Sequence, residues 1–163
     1  MLFNRHQNYG GVMDQKLKFI LDEKNGNLIT AEPDMTLYEA VGILVKNGIG
    51  SLMIVDDKGE IAGIFTERDV LKKLAGTEDC IGALLVKEVM TPKDKLIVGH
   101  SDDTIEYLME IMAENAIRHI PLLGDDGKLL NVISIRDLVK AQLRDNKNKV
   151  KYLSDYISGS YPS

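Results

Sequence analysis

Apolar residues recur along this chain in two rhythms, one helical and one stranded, and the whole series of rhythms occurs twice. Leu37, Ala40, Val41, Leu44 and Val45 keep helical spacing. Thr36 with Glu39 forms a capping box at the start of that helix, and Asn47-Gly48 stops it. Two β-rich runs, residues 51–55 and 61–65, then flank Asp-Asp-Lys-Gly, which is a hairpin signal. A second helix is predicted over 67–74. The series returns with Ile105, Leu108, Met109 and Met112 between Thr104 and Asn115, then with runs 120–123 and 129–133 around Gly-Asp-Asp-Gly, then with a helix over 135–143. Short β-prone stretches, 28–30 and 96–98, precede each copy and lead into the turns Glu-Pro-Asp and His-Ser-Asp. Each copy therefore reads β-α-β-β-α.

The repetition has a fixed offset. Residues 34–72 align with 102–140 at a constant shift of 68 without a gap, and ten positions are identical, including Asp34/Asp102, Asn47/Asn115, Gly59/Gly127, Arg68/Arg136 and Asp69/Asp137. A unit of about 60 residues buries too little surface to be secure alone. The predicted fold is thus α/β in content (α+β), with tandem repeats packed as one pseudo-two-fold module. Its predicted parts are a mobile segment 1–14, a first domain 15–80, a second domain 81–145 and a helical tail 146–163. Residues 15–22 open the first domain with Leu17, Ile20 and Leu21 on one helical face. The connector 75–86 is partly apolar and is expected to pack across the pair. In the tail, Val150, Leu153, Tyr156 and Ile157 at helical spacing suggest a short docked helix.

Composition narrows the function. With 20 basic and 25 acidic residues and a net charge of -5, the chain lacks the clustered cations that nucleic acid or an anionic membrane would need, so neither is an expected partner. Its single cysteine, Cys80, permits no internal disulfide and suits a reducing compartment. No apolar run approaches a membrane span, and the first residues lack a signal-peptide core; the expected location is the cytoplasm. A zinc site would want more than one cysteine and three unpaired histidines, so no metal is expected.

The chemistry concentrates where each hairpin meets its second helix, at Gly-Ile-Phe-Thr-Glu-Arg-Asp (63–69) and Asn-Val-Ile-Ser-Ile-Arg-Asp (131–137). One reading is purely structural: Thr66 or Ser134 caps the helix, and Asp69 or Asp137 complements its dipole. The other starts from Arg68 and Arg136, which occupy a first turn where the dipole disfavours cations, in both copies. An anionic guest would offset that. A carboxylate suits a ribose diol, while a guanidinium and a helix N-terminus suit phosphate, so together they describe a nucleotide.

Both copies resemble CBS domains, whose ribose-and-phosphate motif is Gly-h-h-Thr/Ser-x-x-Asp at the end of the third strand (h being apolar). Val-Met-Thr-Pro (89–92) is similar to that family's lead-in to a second domain, and Arg118-His119-Ile120-Pro121-Leu122 to its second-strand signature. The resemblance implies that Asp69 and Asp137 hold ribose hydroxyls, that Thr66 and Ser134 hold ribose or phosphate, and that Arg68 and Arg136 hold phosphate. It implies an adenine slot near Ile29, Thr30, Ile49, Gly50 and Ser51, or near Ile97, Val98, Arg118, His119 and Pro121. Asn131 departs from the pattern where Gly63 keeps it, so the two sites need not be equivalent.

The resulting expectation is a non-catalytic sensor that binds an adenine nucleotide in the cleft between its repeats, AMP first, with ADP, NAD or ATP as alternatives. Ser134, Asp137 and His119 lack the nucleophile elbow and oxyanion motif of a hydrolase. A homodimer formed through the helices that start at Thr36 and Thr104 is implied, with an unidentified protein partner downstream. The rival is an unliganded dimerisation scaffold in which the polar motif only caps.

Overall fold

The computed structural model describes residues 15–24, 26–78 and 80–157; the segment 1–14, expected to be mobile, lies outside the described residues. The chain divides into two compact units. Residues 27–98 form one, and α1 (Gln15–Lys24) joins the residues from Gly99 onward in the other. Local signals in α1 say only that Leu17 and Ile20 need cover; that cover comes from α5 (Ile135–Ile157), in the second repeat.

In the unit 27–98 the elements are β1 (Thr30–Ala31), α2 (Leu37–Asn47), β2 (Ser51–Val55), β3 (Ile61–Thr66), α3 (Glu67–Ala75) and β4 (Thr91–Pro92). The sheet runs β1-β2-β3-β4, with β1 parallel to β2 and the other pairs antiparallel. The capping box opens α2 as predicted: Thr36 N–H donates to Glu39 Oε2 at 3.0 Å and Glu39 N–H to Thr36 Oγ1 at 3.3 Å. Gly48, at φ 62°, closes it. Leu37, Ala40 and Leu44 face Leu52, Ile54 and Phe65 in one buried cluster.

The connector packs within the first unit. Its carbonyls at Leu84 and Gly82 accept from the otherwise unpaired Leu37 and Tyr38 N–H groups at 2.8 and 3.1 Å, and Ile81 and Val86 enter the first unit's core. A helix N-terminus leaves such donors open, and a strap of carbonyls satisfies them. That is why 81–87 stays with α2.

The other unit contains α1, β5 (Gly99–His100), α4 (Ile105–Glu114), β6 (His119–Leu123), β7 (Leu129–Ser134) and α5, with sheet order β5-β6-β7. Ile105, Leu108, Met112, Ile120, Leu122, Ile133 and Leu138 are buried with Leu17 and Ile20. The short first strands fall one to three residues later than the β-prone runs suggested. Within the described residues the tail continues α5, which runs unbroken from Ile135 to Ile157, and Val150 on it is exposed. No described helix is long and apolar enough to cross a membrane.

Candidate functional site

Each hairpin runs into its following helix without a linker, and the two junctions are built alike. Glu67 N–H donates to Gly50 O at 3.2 Å, and Ile135 N–H to Arg118 O at 2.9 Å. Thr66 donates from its backbone N and its Oγ1 to Asp69 Oδ2, at 2.8 and 2.7 Å. Ser134 does the same to Asp137 Oδ2, at 2.8 and 2.7 Å, and Asp137 N–H returns a bond to Ser134 Oγ at 3.3 Å. Both carboxylates thus tie the residue before their helix, while the hydroxyl cap weighed above is formed by Ser134 and not by Thr66. Every bond the two carboxylates accept from Thr66 and Ser134 falls on Oδ2, so Oδ1 takes no part in the cap, and an ionised carboxylate has acceptor sites on both oxygens.

Strand register brings several of the expected residues to the junctions. Ser51 lies opposite Thr66, and His119 lies opposite Ser134. Gly50 and Arg118 touch the junctions through their carbonyls, while Arg68 and Arg136 stand exposed in the first helical turns. Thr30 is one strand away, opposite Met53, and exposed. Other members serve the interior. Ile29 and Ile49 pack against the hydrophobic cluster, and Pro121 is buried opposite Val132. Ile97 and Val98 are half-buried just before β5.

The glycine-to-asparagine departure has a packing origin. A Cβ on Gly63 would lie 2.4 Å from Thr91 O and 2.9 Å from Met90 Sδ, because β4 pairs directly alongside. Among the described residues the sheet of the other unit ends at β7, with no strand alongside Asn131, whose Oδ1 accepts from Val132 N–H at 2.8 Å. Gly63 answers to the flanking strand.

One participant was missed from the sequence. Lys24 Nζ, at the end of α1, lies 3.1 Å from Asp137 Oδ2. Burial pushes the Asp137 carboxyl up, but the two Ser134 bonds and the Lys24 ammonium together outweigh it and hold the group below its ordinary value. Lys24 and Asp137 also line a cavity of about 210 Å³, together with Phe19, Ile20, Glu23 and Lys140. No sequence signal announces this pair, since the two residues meet only when α1 docks on α5. Among the described residues, no three of the histidine, cysteine and acidic side chains gather as a metal-binding group.

With the geometry in place, comparison with known proteins is informative. The sequence profile of the CBS domain matches residues 23–76 and 86–144. The CBS domain-containing protein CBSX3, mitochondrial, of Arabidopsis thaliana is 32% identical over 139 residues, covering 84% of this chain and 67% of its own length. For relatives from Acidianus ambivalens and Methanopyrus kandleri the match spans 65% and 58% of their length. The crystal structure of the CBS-domain containing protein ATU1752 from Agrobacterium tumefaciens has a TM-score of 0.73 and 35% identity, over 83% of this chain and 99% of that one. The CBS domain pair of protein MJ0100, solved with 5-methylthioadenosine and S-adenosyl-L-methionine, has a TM-score of 0.60 and 28% identity, over 69% and 89%. CBSX2 in complex with AMP shares the fold at a TM-score of 0.60 and 24% identity, over 74% and 90%. Two profile matches laid over two β-α-β-β-α units, each closed by the same capped junction, place this chain in the CBS-domain family as a CBS domain pair.

Proposed function

We propose that this CBS pair is a non-catalytic regulatory module that binds an adenosine-derived ligand, AMP first and ADP, NAD or ATP as alternatives, at its duplicated strand-to-helix junctions. The observation that carries the reading is the recurrence, in both units, of a carboxylate whose Oδ2 is committed to the cap while an exposed arginine stands one residue before it. Capping alone gives that arginine no reason to sit in a first turn, where the helix dipole opposes it. Solved relatives that hold AMP, or methylthioadenosine and S-adenosylmethionine, support the same ligand class.

In this assignment Asp69 and Asp137 accept ribose hydroxyls through Oδ1. Thr66 and Ser134 border ribose or phosphate, and Arg68 and Arg136 meet phosphate. Gly50 and Ser51, with Arg118 and His119, supply the backbone edge that reads the base, next to Ile29, Thr30, Ile49, Ile97 and Val98. A regulatory output requires that the ligand bind two states of the pair with different affinity. Isothermal titration against a panel of adenosine ligands tests the reading. AMP at 100 times its dissociation constant should add about 2.7 kcal/mol of apparent stability. Arg68→Ala and Arg136→Ala should remove most of that gain, each read against the melting curve of the same variant without ligand. They are cleaner probes than the aspartates, whose loss also removes a cap. A panel that never shifts the curve would leave the scaffold reading in possession.

A homodimer is part of the proposal. Tyr38 and Val45 on α2 and Leu71 and Leu74 on α3 are exposed, whereas α4 presents no comparable large apolar side chain. The proposed self-association surface therefore keeps the expected α2, adds α3 and drops α4, with Leu143 and Val150 of α5 as further exposed apolar positions. Sedimentation of Tyr38→Glu beside the parent chain tests it.

A further inference from the structure

We propose that Lys24 makes the Asp137 junction selective for ligands that carry an anionic group, a selectivity the Asp69 junction lacks. The inference rests on the nucleotide reading of the duplicated motif and adds to it a difference between the two copies. At Asp69, two donors converge on Oδ2, both from Thr66. At Asp137, the matching two come from Ser134 and a third, an ammonium, comes from α1. Leu17 and Ile20, both buried, fix that helix, so the lysine is held at the site by packing.

A neutral sugar hydroxyl that approaches Asp137 Oδ1 meets a carboxylate whose charge the Lys24 ammonium already partly neutralises through Oδ2. A partly neutralised carboxylate is a weaker acceptor for a hydroxyl than a free one, so a diol by itself is held poorly. A ligand that also brings a phosphate changes the contest. The ammonium has three N–H donors on a flexible stem, so it can turn one or two of them to the phosphate and leave the carboxylate a stronger acceptor for the sugar. Lys140 lines the same cavity and adds a second cation, which offsets Glu23. Lys24 is thus a gate that an anion opens. No lysine is paired with Asp69 among the described residues.

The test uses the full chain and reads each junction separately, through the amide resonances of Thr66 and Ser134, because those N–H groups donate to the two carboxylates. AMP and adenosine are the probes. In the parent chain, half-saturation of the Ser134 shift should need about tenfold less AMP than adenosine, a ratio equivalent to 1.4 kcal/mol. In Lys24→Met that ratio should fall below about threefold, with adenosine gaining and AMP losing, while Thr66 titrates as before. Lys24→Arg should keep the discrimination, and Lys24→Gln gives a second neutral variant should the methionine fold poorly. An unchanged ratio at Ser134 in the neutral variants, or equal binding of the two probes in the parent chain, overturns the gate. A response to AMP at Thr66 with none at Ser134 overturns the gate and leaves the nucleotide reading standing. Silence at both amides overturns the nucleotide reading itself.

Discussion

The guanidinium carbon of Arg144 lies 3.8 Å from the centre of the Phe19 ring, which joins α5 to α1. The repeat offset of 68 pairs position 144 with Gly76, the residue whose N–H closes α3 on Lys73 O. The second copy therefore has a helix-continuing, ring-stacking side chain where the first has a stop, and α5 runs on to Ile157.

Arg144→Gly should undo both effects. A glycine in a helix interior costs about 1 kcal/mol relative to a good helix former, and the lost cation–π contact adds about 0.5–1 kcal/mol. Urea unfolding measures the sum, and circular dichroism should show helix lost from the tail. An unchanged midpoint would mean that the stacking is energetically empty.

The C-terminal caps of α2 and α4 differ by one methyl group in a demanding place. Gly48 adopts φ 62°, and its counterpart Ala116 adopts φ 51°, where a Cβ is disfavoured. Ala116→Gly should stabilise the chain by about 0.5–1 kcal/mol, and Gly48→Ala should destabilise it by a similar amount. Chemical denaturation of the two single variants gives both signs at once.

Gly63→Ala places a methyl group against the β4 backbone and should destabilise the chain by about 1–3 kcal/mol. The loss should be local. Hydrogen exchange ought to rise at Thr91 before it rises in β2, since Ile64 and Thr91 pair across the strained edge.

Asp137 links stability to pH. Its folded pKa lies below the ordinary value because the Ser134 bonds and Lys24 outweigh the desolvation that burial imposes. A depressed carboxylate contributes stability that is fully present above its unfolded pKa, near about 4, and that is lost as pH falls through the folded value. Asp137→Asn should thus flatten the acid limb of the stability profile and lower the plateau at neutral pH. Lys24→Met should flatten the same limb in part. Urea midpoints measured between about pH 2.5 and 7 decide it. A parent chain and an Asp137→Asn variant with parallel acid limbs would refute the linkage.

The parts legible in the chain are those that neighbouring residues decide. Thr36 with Glu39 announced α2, the Asp-Asp-Lys-Gly and Gly-Asp-Asp-Gly turns announced the two hairpins, and the shift of 68 exposed the duplication. The capped junctions at Asp69 and Asp137 were legible for the same reason, since three residues separate donor from acceptor. Even the length of α5 could have been read, had the offset been carried on from Gly76 to Arg144.

Tertiary structure decided the rest. Apolar spacing shows that Leu17 and Ile20 must be covered but not by which sheet or helix, and α1 docks in the second repeat. The strap of carbonyls at 82–84, the strand beside Gly63 and the ammonium at Asp137 all join segments distant in sequence. Caps, turns and periods are settled within one or two turns of chain. The partner of an exposed charge or an open N–H group is settled only when separate apolar faces choose one another, and that choice placed Lys24 at one junction and left the other without it.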